Sequence, residues 1–228
     1  MRIKRYLSLL LAALLALSLA GCGADEGGGK HADMSIWPAQ LSQEETALTE
    51  LLGIGMDPYR IFDFQMGDGP NGVQSIRLRA YQLAGNEWSC VTDASRAFTD
   101  AAGRLVLTFG KMTDGVRMAY QSEANSGGLT FAMEAENGGD GLTFATSVLT
   151  GTPAIEFDQE VPLVLQFATS KSEFSTFDVT YFGMPRELAK KEYDHVYAIT
   201  VTFSKEAPGQ ASVTSANPGE TAEPAPAE

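Results

Sequence analysis

Apolar and polar residues alternate with a period of two along most of the chain after Tyr59. In residues 76–80, for example, apolar side chains are separated by Arg77 and Arg79, which is typical of a strand with one buried face. The other alternating sets are Phe62, Phe64 and Met66; Leu105, Leu107 and Phe109; Val116, Met118 and Tyr120; Leu129, Phe131 and Met133; Leu142, Phe144 and Thr146; Val161, Leu163, Leu165 and Phe167; Phe177, Val179 and Tyr181; and Tyr193, Tyr197, Ile199, Val201 and Phe203. Each set predicts a strand.

Turn residues separate these strands. Gly85 and Asn86 predict a hairpin that leads into a further short strand at residues 88–92, and residues 93–103 read as a loop. Eight or more short strands with turns rich in Gly, Asn and Asp favour an antiparallel sheet over an alternating α/β arrangement. The predicted fold class is therefore mainly β: an antiparallel β-sandwich, jelly-roll-like or barrel-like, with one short N-terminal helix.

That helix is predicted over residues 43–52. Ser42 and Glu45 have the spacing of a capping box, in which each side chain bonds the backbone N–H of the other. One helical stripe is apolar, and Gly53 suits the end of the helix. The stripe consists of Ala47, Leu48, Leu51 and Leu52.

The N-terminus has a different pattern. A positive start containing Arg2, Lys4 and Arg5 precedes an apolar run from Leu7 to Leu19, which is the layout of a secretory signal peptide. The run ends in Leu19-Ala20-Gly21-Cys22. This ending resembles the lipobox of bacterial lipoproteins, and the resemblance covers only the signal segment. It implies a diacylglyceryl group on the sulfur of Cys22 and cleavage just before that residue.

The resemblance sets the expected location. Two acyl chains hold a protein stably at a bilayer, because each buried methylene contributes about 0.8 kcal/mol. The protein is thus expected to be lipid-anchored in the cell membrane and to face outside the cytoplasm. The alternative is an ordinary secreted protein in which Cys22 lies near the cleavage site by chance.

Composition divides the chain into four predicted parts. Residues 1–21 form the signal peptide, 22–35 the lipidated cysteine with a glycine-rich flexible spacer, and 36–205 the β-sandwich-like domain. Residues 206–228 are rich in Pro, Ala and Glu with little apolar bulk, so a disordered acidic tail is predicted.

Charge restricts the partners. Without the signal peptide, 207 residues remain, with 13 basic against 29 acidic side chains and a formal charge of −16. Such a surface repels phosphate backbones, so no nucleic-acid partner is expected. A cationic partner or simple solubility fits better. The expected contacts are the membrane, through the anchor, and an envelope glycan or protein; a monomer is expected, and no cofactor is predicted.

Three motifs contain residues that are found in binding or catalytic sites, but the surrounding sequence does not support such a site. Residues 67–72 match the glycine pattern of a dinucleotide-binding loop, yet a strand and not a helix follows, so a hairpin loop is the preferred interpretation. Asp194 and His195 suggest a serine triad, but His195 shares strand parity with Tyr197 and should lie at the core or its rim. Cys90, the only thiol left if Cys22 is acylated, shares a predicted strand face with Trp88 and Thr92 and is expected to be buried.

Acidic residues offer two weaker hypotheses. Glu134, Glu136, Asn137 and Asp140 crowd one turn and are calcium candidates, although their spacing is not that of an EF-hand. Glu156, Asp158 and Glu160 would share one face of an extended segment. A solvated face is the preferred interpretation of both clusters.

The sequence therefore favours a membrane-anchored lipoprotein that presents a non-catalytic β-sandwich binding or structural module. One alternative is an envelope enzyme, a glycan or ester hydrolase that uses acidic residues such as Glu134 or Glu156. Another is a calcium-stabilised adhesion domain. Strand aromatics such as Tyr81, Trp88 and Tyr181 would form a sugar-stacking platform if exposed together, but core packing is preferred for them.

Overall fold

A computed structural model of the chain describes residues 34–51, 59–67, 73, 75–133 and 141–208. Its strands are β1 (Met34–Pro38), β2 (Tyr59–Met66), β3 (Ser75–Ala84), β4 (Glu87–Ala97), β5 (Ala102–Thr108), β6 (Val116–Gln121), β7 (Ser126–Phe131), β8 (Thr143–Val148), β9 (Glu160–Thr169) and β10 (His195–Ser204). The helices are α1 (Gln43–Leu51), a 3₁₀ helix (Val179–Gly183) and α2 (Pro185–Ala189). The strand β1 begins two residues inside the predicted spacer.

Within the described ranges, the strands form two antiparallel sheets of five strands each. Sheet A has the order β1-β2-β5-β6-β7, and sheet B has the order β4-β3-β10-β9-β8. The predicted mainly β fold, an antiparallel β-sandwich with a short N-terminal helix, is confirmed.

Aromatic and aliphatic side chains fill the space between the sheets. Phe64 of sheet A packs against Phe203 of sheet B, with ring centroids 4.9 Å apart, and against Phe98, 5.3 Å away. Leu105 and Leu107 on β5 are fully buried in the same core. Along β2, β5 and β6 of sheet A and along β10 of sheet B, the alternation in the sequence therefore marks residues that face the opposite sheet.

A buried amide also joins the two sheets. The side chain of Gln166 on β9 accepts a hydrogen bond from the backbone N–H of Met112 (2.7 Å) and donates to the carbonyl of Gly110 (2.8 Å) and to Thr146 Oγ1 (3.0 Å). Its polar atoms are satisfied although the residue is fully buried. The loop between β5 and β6 is thereby fixed to sheet B.

The helix α1 has the predicted start but not the predicted burial. The Ser42 backbone N–H donates to Glu45 Oε2 (2.8 Å), and the Glu45 N–H donates to Ser42 Oγ (3.1 Å), so the capping box is confirmed. None of the helix residues is buried; Leu48 is 55% exposed and Leu51 82%. The helix is held to the outer face of sheet A by Arg104 Nη1, which donates to Glu45 Oε1 (2.6 Å).

The outer face of sheet B is covered by residues 170–194, which connect β9 to β10. Val179 and Leu188 from this connection are buried, and so are Leu165, Phe167, Val196 and Ala198 on the strand face below it. The strand predicted around Phe177 and Tyr181 is wrong. Asp178 accepts a hydrogen bond from the Thr180 N–H (2.9 Å) and starts the 3₁₀ helix instead.

Two connections also differ from prediction. The loop predicted at residues 93–103 is shorter, because β4 extends to Ala97 and β5 begins at Ala102. The hairpin predicted across residues 67–72 is wrong, since β2 belongs to sheet A and β3 to sheet B. A strand does follow that segment, as predicted, whereas residues 68–72 lie outside the described ranges.

Irregular pairing changes which face some residues occupy. Between β3 and β4, Ala80 pairs with Thr92 and Tyr81 with Cys90, so Val91 is an extra residue. Between β9 and β10 the register shifts in the same way, which leaves Leu163 as the extra residue. Each bulge reverses the parity of the residues beyond it.

Candidate functional site

A cavity opens at the end of sheet B where β8 ends and β9 begins, and we call it the β9 cavity. Its volume is about 180 Å³. Its lining residues come from the β8–β9 connection, the first residues of β9 and the start of the 3₁₀ helix. They are Leu149, Pro153, Ala154, Glu156, Gln159, Glu160, Val161, Pro162, Val179 and Thr180. A concave, largely apolar surface with a few polar groups is the usual form of a small-molecule site.

The polar groups of the β9 cavity are dominated by two carboxylates. Glu156 Oε2 accepts a hydrogen bond from the side-chain amide of Gln159. Glu160 Oε1 accepts from Arg79 Nη1 (2.7 Å) and from the Tyr81 hydroxyl. Among the described residues that line the cavity, none is Lys or Arg. The cavity wall is therefore acidic.

Glu160 also belongs to an ion-pair array on the outer face of sheet B, which consists of Arg77, Arg79, Tyr81, Asp93 and Glu160. Arg77 Nε donates to Asp93 Oδ1 at 2.5 Å, and its Nη2 donates to Asp93 Oδ2. Arg79 bridges the two carboxylates, with Nε 3.3 Å from Asp93 Oδ2 and Nη1 bonded to Glu160. The array thus fixes the position of Glu160 at the cavity wall.

The charges in the array follow from burial and pairing. Burial, together with the hydrogen bond to Glu160, raises the pKa of Tyr81, so the phenol is neutral. For Asp93, burial acts to raise the pKa, but the hydrogen bonds and charges of Arg77 and Arg79 outweigh it and lower the pKa. Partial burial opposes the charge of Arg79, yet its hydrogen bonds to Glu160 and Tyr81 raise its pKa. These two arginines and Asp93 therefore remain charged near neutral pH.

Two buried hydroxyls lie beside the array. Thr200 and Thr202 on β10 are paired in register with Pro162 and Glu160 of the cavity wall. Both are buried, and within the described part of the chain neither Oγ1 atom has a hydrogen-bond partner. A buried hydroxyl without a hydrogen-bond partner lowers the free energy of unfolding, so neither threonine is the most stabilising residue for its position.

The predicted triad residues do not come together as a nucleophile and base. Asp194 Oδ2 accepts hydrogen bonds from the Ser170 backbone N–H (2.6 Å) and from Ser170 Oγ (3.0 Å). The Nδ1 atom of His195 instead lies 3.4 Å from Gln82 Nε2. The His195 ring stacks on that of Tyr197, with ring centroids 5.8 Å apart. The hydrogen bonds from Ser170 lower the pKa of Asp194. His195 lies on the inner face at the rim of the core, as its parity predicts.

The prediction that Cys90 is buried is wrong, because this thiol is exposed. The extra residue Val91 places Cys90 opposite Tyr81 and Thr92 opposite Ala80, so Cys90 and Thr92 occupy different faces. Partial desolvation and the charge of Asp93 raise the pKa of the Cys90 thiol. Its thiolate, the reactive form, is accordingly disfavoured.

The acidic clusters have different outcomes. The calcium candidates Glu134, Glu136, Asn137 and Asp140 lie outside the described residues. Glu156, Asp158 and Glu160 are not on one extended face, since Asp158 has a φ of 64° within a turn. Across the described ranges, no group of three His, Cys, Asp or Glu side chains is arranged to hold a metal ion.

The aromatic residues pack against one another. Trp88 stacks on Phe182 with ring centroids 5.1 Å apart, and its Nε1 donates to the Phe182 carbonyl at 2.8 Å. Tyr81 lies 5.4 Å from the same ring, and Tyr181 lies 4.7 Å from Phe177. The preferred interpretation of these side chains as packing residues is supported.

The proposed lipidation residue, Cys22, lies outside the described residues. In the part of the chain that the structure covers, no helix combines the length and apolar character needed to cross a membrane.

Fold and site together define a β-sandwich domain with an acidic-walled cavity at one end of a sheet that is covered on its outer face. No family model matches this chain, and no curated protein or solved structure shows significant similarity to it.

The sequence pattern did not predict this site. Arg77 and Arg79 were visible as the polar partners in an alternating strand, but nothing local showed that Arg79 reaches Glu160, 81 positions further along the chain. The charge of Arg77 and Arg79 could have predicted the ion pairs, because two arginines on one strand face are stabilised by carboxylates on neighbouring strands.

Proposed function

We propose that this protein is a membrane-anchored cell-envelope lipoprotein, held by acyl chains on Cys22 and facing outside the cytoplasm, that presents its β-sandwich as a non-catalytic binding module. The observation that carries the proposal is Leu19-Ala20-Gly21-Cys22 at the end of a basic, then apolar, N-terminal segment. The β9 cavity supports a binding role, since it supplies a concave surface with polar groups held in place.

The pairing of Glu160 favours binding over catalysis. A general acid or nucleophile needs a carboxyl group free to exchange a proton or attack a substrate. Glu160 Oε1 already accepts hydrogen bonds from Arg79 and Tyr81. Such an arrangement holds the carboxylate in a fixed position, which suits recognition of a ligand.

The anchor is tested by fractionating cells that express the full chain. Cys22→Ala should release the protein from membranes, because the anchoring sulfur is lost. Cys90→Ala is the matched control, since it removes the other cysteine of the chain and should leave membrane attachment unchanged. If the Cys22→Ala protein stays in the membrane fraction with its N-terminal segment removed, the proposed anchor is wrong.

A second candidate is an envelope hydrolase that uses acidic residues. It is favoured by one observation, the presence of both Glu156 and Glu160 in the wall of one cavity. Hydrolysis of a glycan or ester substrate that is abolished by Glu156→Gln, with the fold retained, would establish this activity in place of the binding role. Unchanged turnover in that variant would exclude Glu156 as the catalytic group.

A further inference from the structure

We propose that the β9 cavity binds a small organic ammonium group carried on a short apolar body. This inference deepens the binding role proposed above and rests on it. Three properties of the cavity point to this ligand: its size, its apolar floor and its acidic wall.

Size limits the ligand to a few non-hydrogen atoms. The cavity volume is about 180 Å³. A protein cavity of about 150 Å³ lined by apolar side chains accommodates benzene, which has six non-hydrogen atoms. An alkylammonium of similar size therefore fits the β9 cavity, whereas a folded peptide or an oligosaccharide does not fit inside it.

The floor of the cavity is apolar. Leu149, Val161 and Val179 are buried core residues that also line it. Pro153 and Pro162 add further apolar surface with restricted backbone motion. A ligand with a short hydrocarbon body would gain from contact with this floor.

The wall selects the charge of the ligand. Both hydrogen bonds to Glu160 end on Oε1, and within the described ranges its Oε2 accepts none. Glu156 likewise uses Oε2, for Gln159, and its Oε1 has no partner there. Two carboxylate oxygens thus remain available at a surface that lacks a basic lining residue, and they suit an N–H donor with positive charge.

Nearby cations do not occupy these oxygens. Arg79 is bound to Glu160 from the side of the ion-pair array and is not among the cavity-lining residues. The ammonium of Lys205 lies over the ring of Phe157, 4.6 Å from its centroid. The strongly acidic composition of the chain also favours the approach of cations over anions.

The test uses the full-length protein purified from membranes in detergent. Binding of pentylamine is followed by saturation-transfer NMR, with 1-pentanol and pentanoate as neutral and anionic ligands of the same length. Pentylamine should bind saturably, and the other two should bind at least about tenfold more weakly, because a charge-assisted hydrogen bond is worth about that factor. Equal binding of pentylamine and 1-pentanol would overturn the proposal.

Two variants locate the binding. Glu156→Gln should weaken pentylamine binding about tenfold by removing the charge at the wall. Ala154→Phe should abolish binding by filling the cavity, and Ala154 is an exposed residue, so the fold should tolerate this change. Glu123→Gln is the matched control, because it removes an exposed carboxylate from the loop between β6 and β7. If Glu123→Gln weakens binding as much as Glu156→Gln, the site assignment is wrong.

A final arm distinguishes a free amine from a lysine side chain of a protein partner. N-acetyl-lysine methylamide carries the ammonium on a peptide-like body, and comparable binding of this probe supports a lysine as the natural ligand. Binding of pentylamine alone supports a free amine. Absence of binding by both probes would overturn the inference, while membrane attachment through Cys22 would be unaffected and the anchor would still stand.

Discussion

The outer faces of the two sheets are covered in opposite ways. On sheet A, α1 is attached by the ion pair between Arg104 and Glu45, and its leucines are exposed. On sheet B, residues 170–194 bury Val179 and Leu188 against strands that already bury their inner face. One cover is polar and local, and the other is apolar and part of the core.

The difference shows what an amphipathic pattern can and cannot predict. The apolar stripe of α1 and its capping residues correctly predict a helix, but they contain no information about whether another element packs on that stripe. Burial of the outer face of β9 and β10 requires a long connection to fold back over them. We therefore expect α1 to unfold locally and residues 170–194 to unfold only with the whole domain.

The largest expected effect compares one leucine from each cover. Leu188→Ala in α2 should lower the free energy of unfolding by about 2–4 kcal/mol, because it leaves a cavity at a fully buried position. Leu48→Ala in α1 should change it by no more than about 0.5 kcal/mol, since the side chain is mostly exposed. Urea unfolding of both variants measures this difference. Equal losses would show that the two covers are integrated to the same extent.

A smaller effect concerns the buried threonines of sheet B. Thr200→Val should leave stability unchanged or raise it by up to about 1 kcal/mol, because its hydroxyl has no partner in the described part of the chain. Thr146→Val is the matched control. It removes the hydroxyl that accepts a hydrogen bond from Gln166 Nε2 at 3.0 Å, and it should cost about 1 kcal/mol. A loss for Thr200→Val as large as that for Thr146→Val would contradict the assignment of an unpartnered hydroxyl.

The smallest effect is the pH response of α1. The pKa of Glu45 is lowered by the hydrogen bond from the Ser42 backbone and then by Arg104, from an ordinary value of 4.5. The stabilisation is therefore fully present above pH 4.5 and is lost as the pH falls through the lower pKa of the folded state. The protection factors of the α1 amides, which correct for the intrinsic pH dependence of exchange, should fall over that acidic range, and much less in Glu45→Gln, whose α1 is already loosened. Unchanged protection in the wild-type chain would show that α1 does not depend on this carboxylate.

The sequence was sufficient to predict the mainly β fold class, because alternation of apolar and polar residues indicates a strand with one buried face. The strands of sheet A have this pattern of burial. It was insufficient where a bulge or a long-range contact intervened. The extra residue Val91 places Cys90 and Thr92 on different faces of β4, which explains the wrong expectation for Cys90. The extra residue Leu163 reverses parity within β9 in the same way. The 3₁₀ helix after Asp178 has apolar spacing that also fits a strand.

The candidate site was less predictable still. Glu156 was identified as a carboxylate of interest, but its separation from Glu160 along the chain did not indicate that both would line one cavity. The turn at Asp158, with its positive φ, brings the two onto that wall. Arg79 joins the site only through the pairing of β3 with β10 and of β10 with β9. Such contacts depend on strand order, which local patterns do not determine.

The most direct test of the whole account is the mass of the N-terminal fragment of the protein extracted from cell membranes. We expect a fragment that begins at residue 22 and carries the added mass of a diacylglyceryl group on the cysteine, with or without a further acyl chain on the new amino group. A fragment that still begins at Met1, or one with an unmodified Cys22, would contradict the proposed anchor and location.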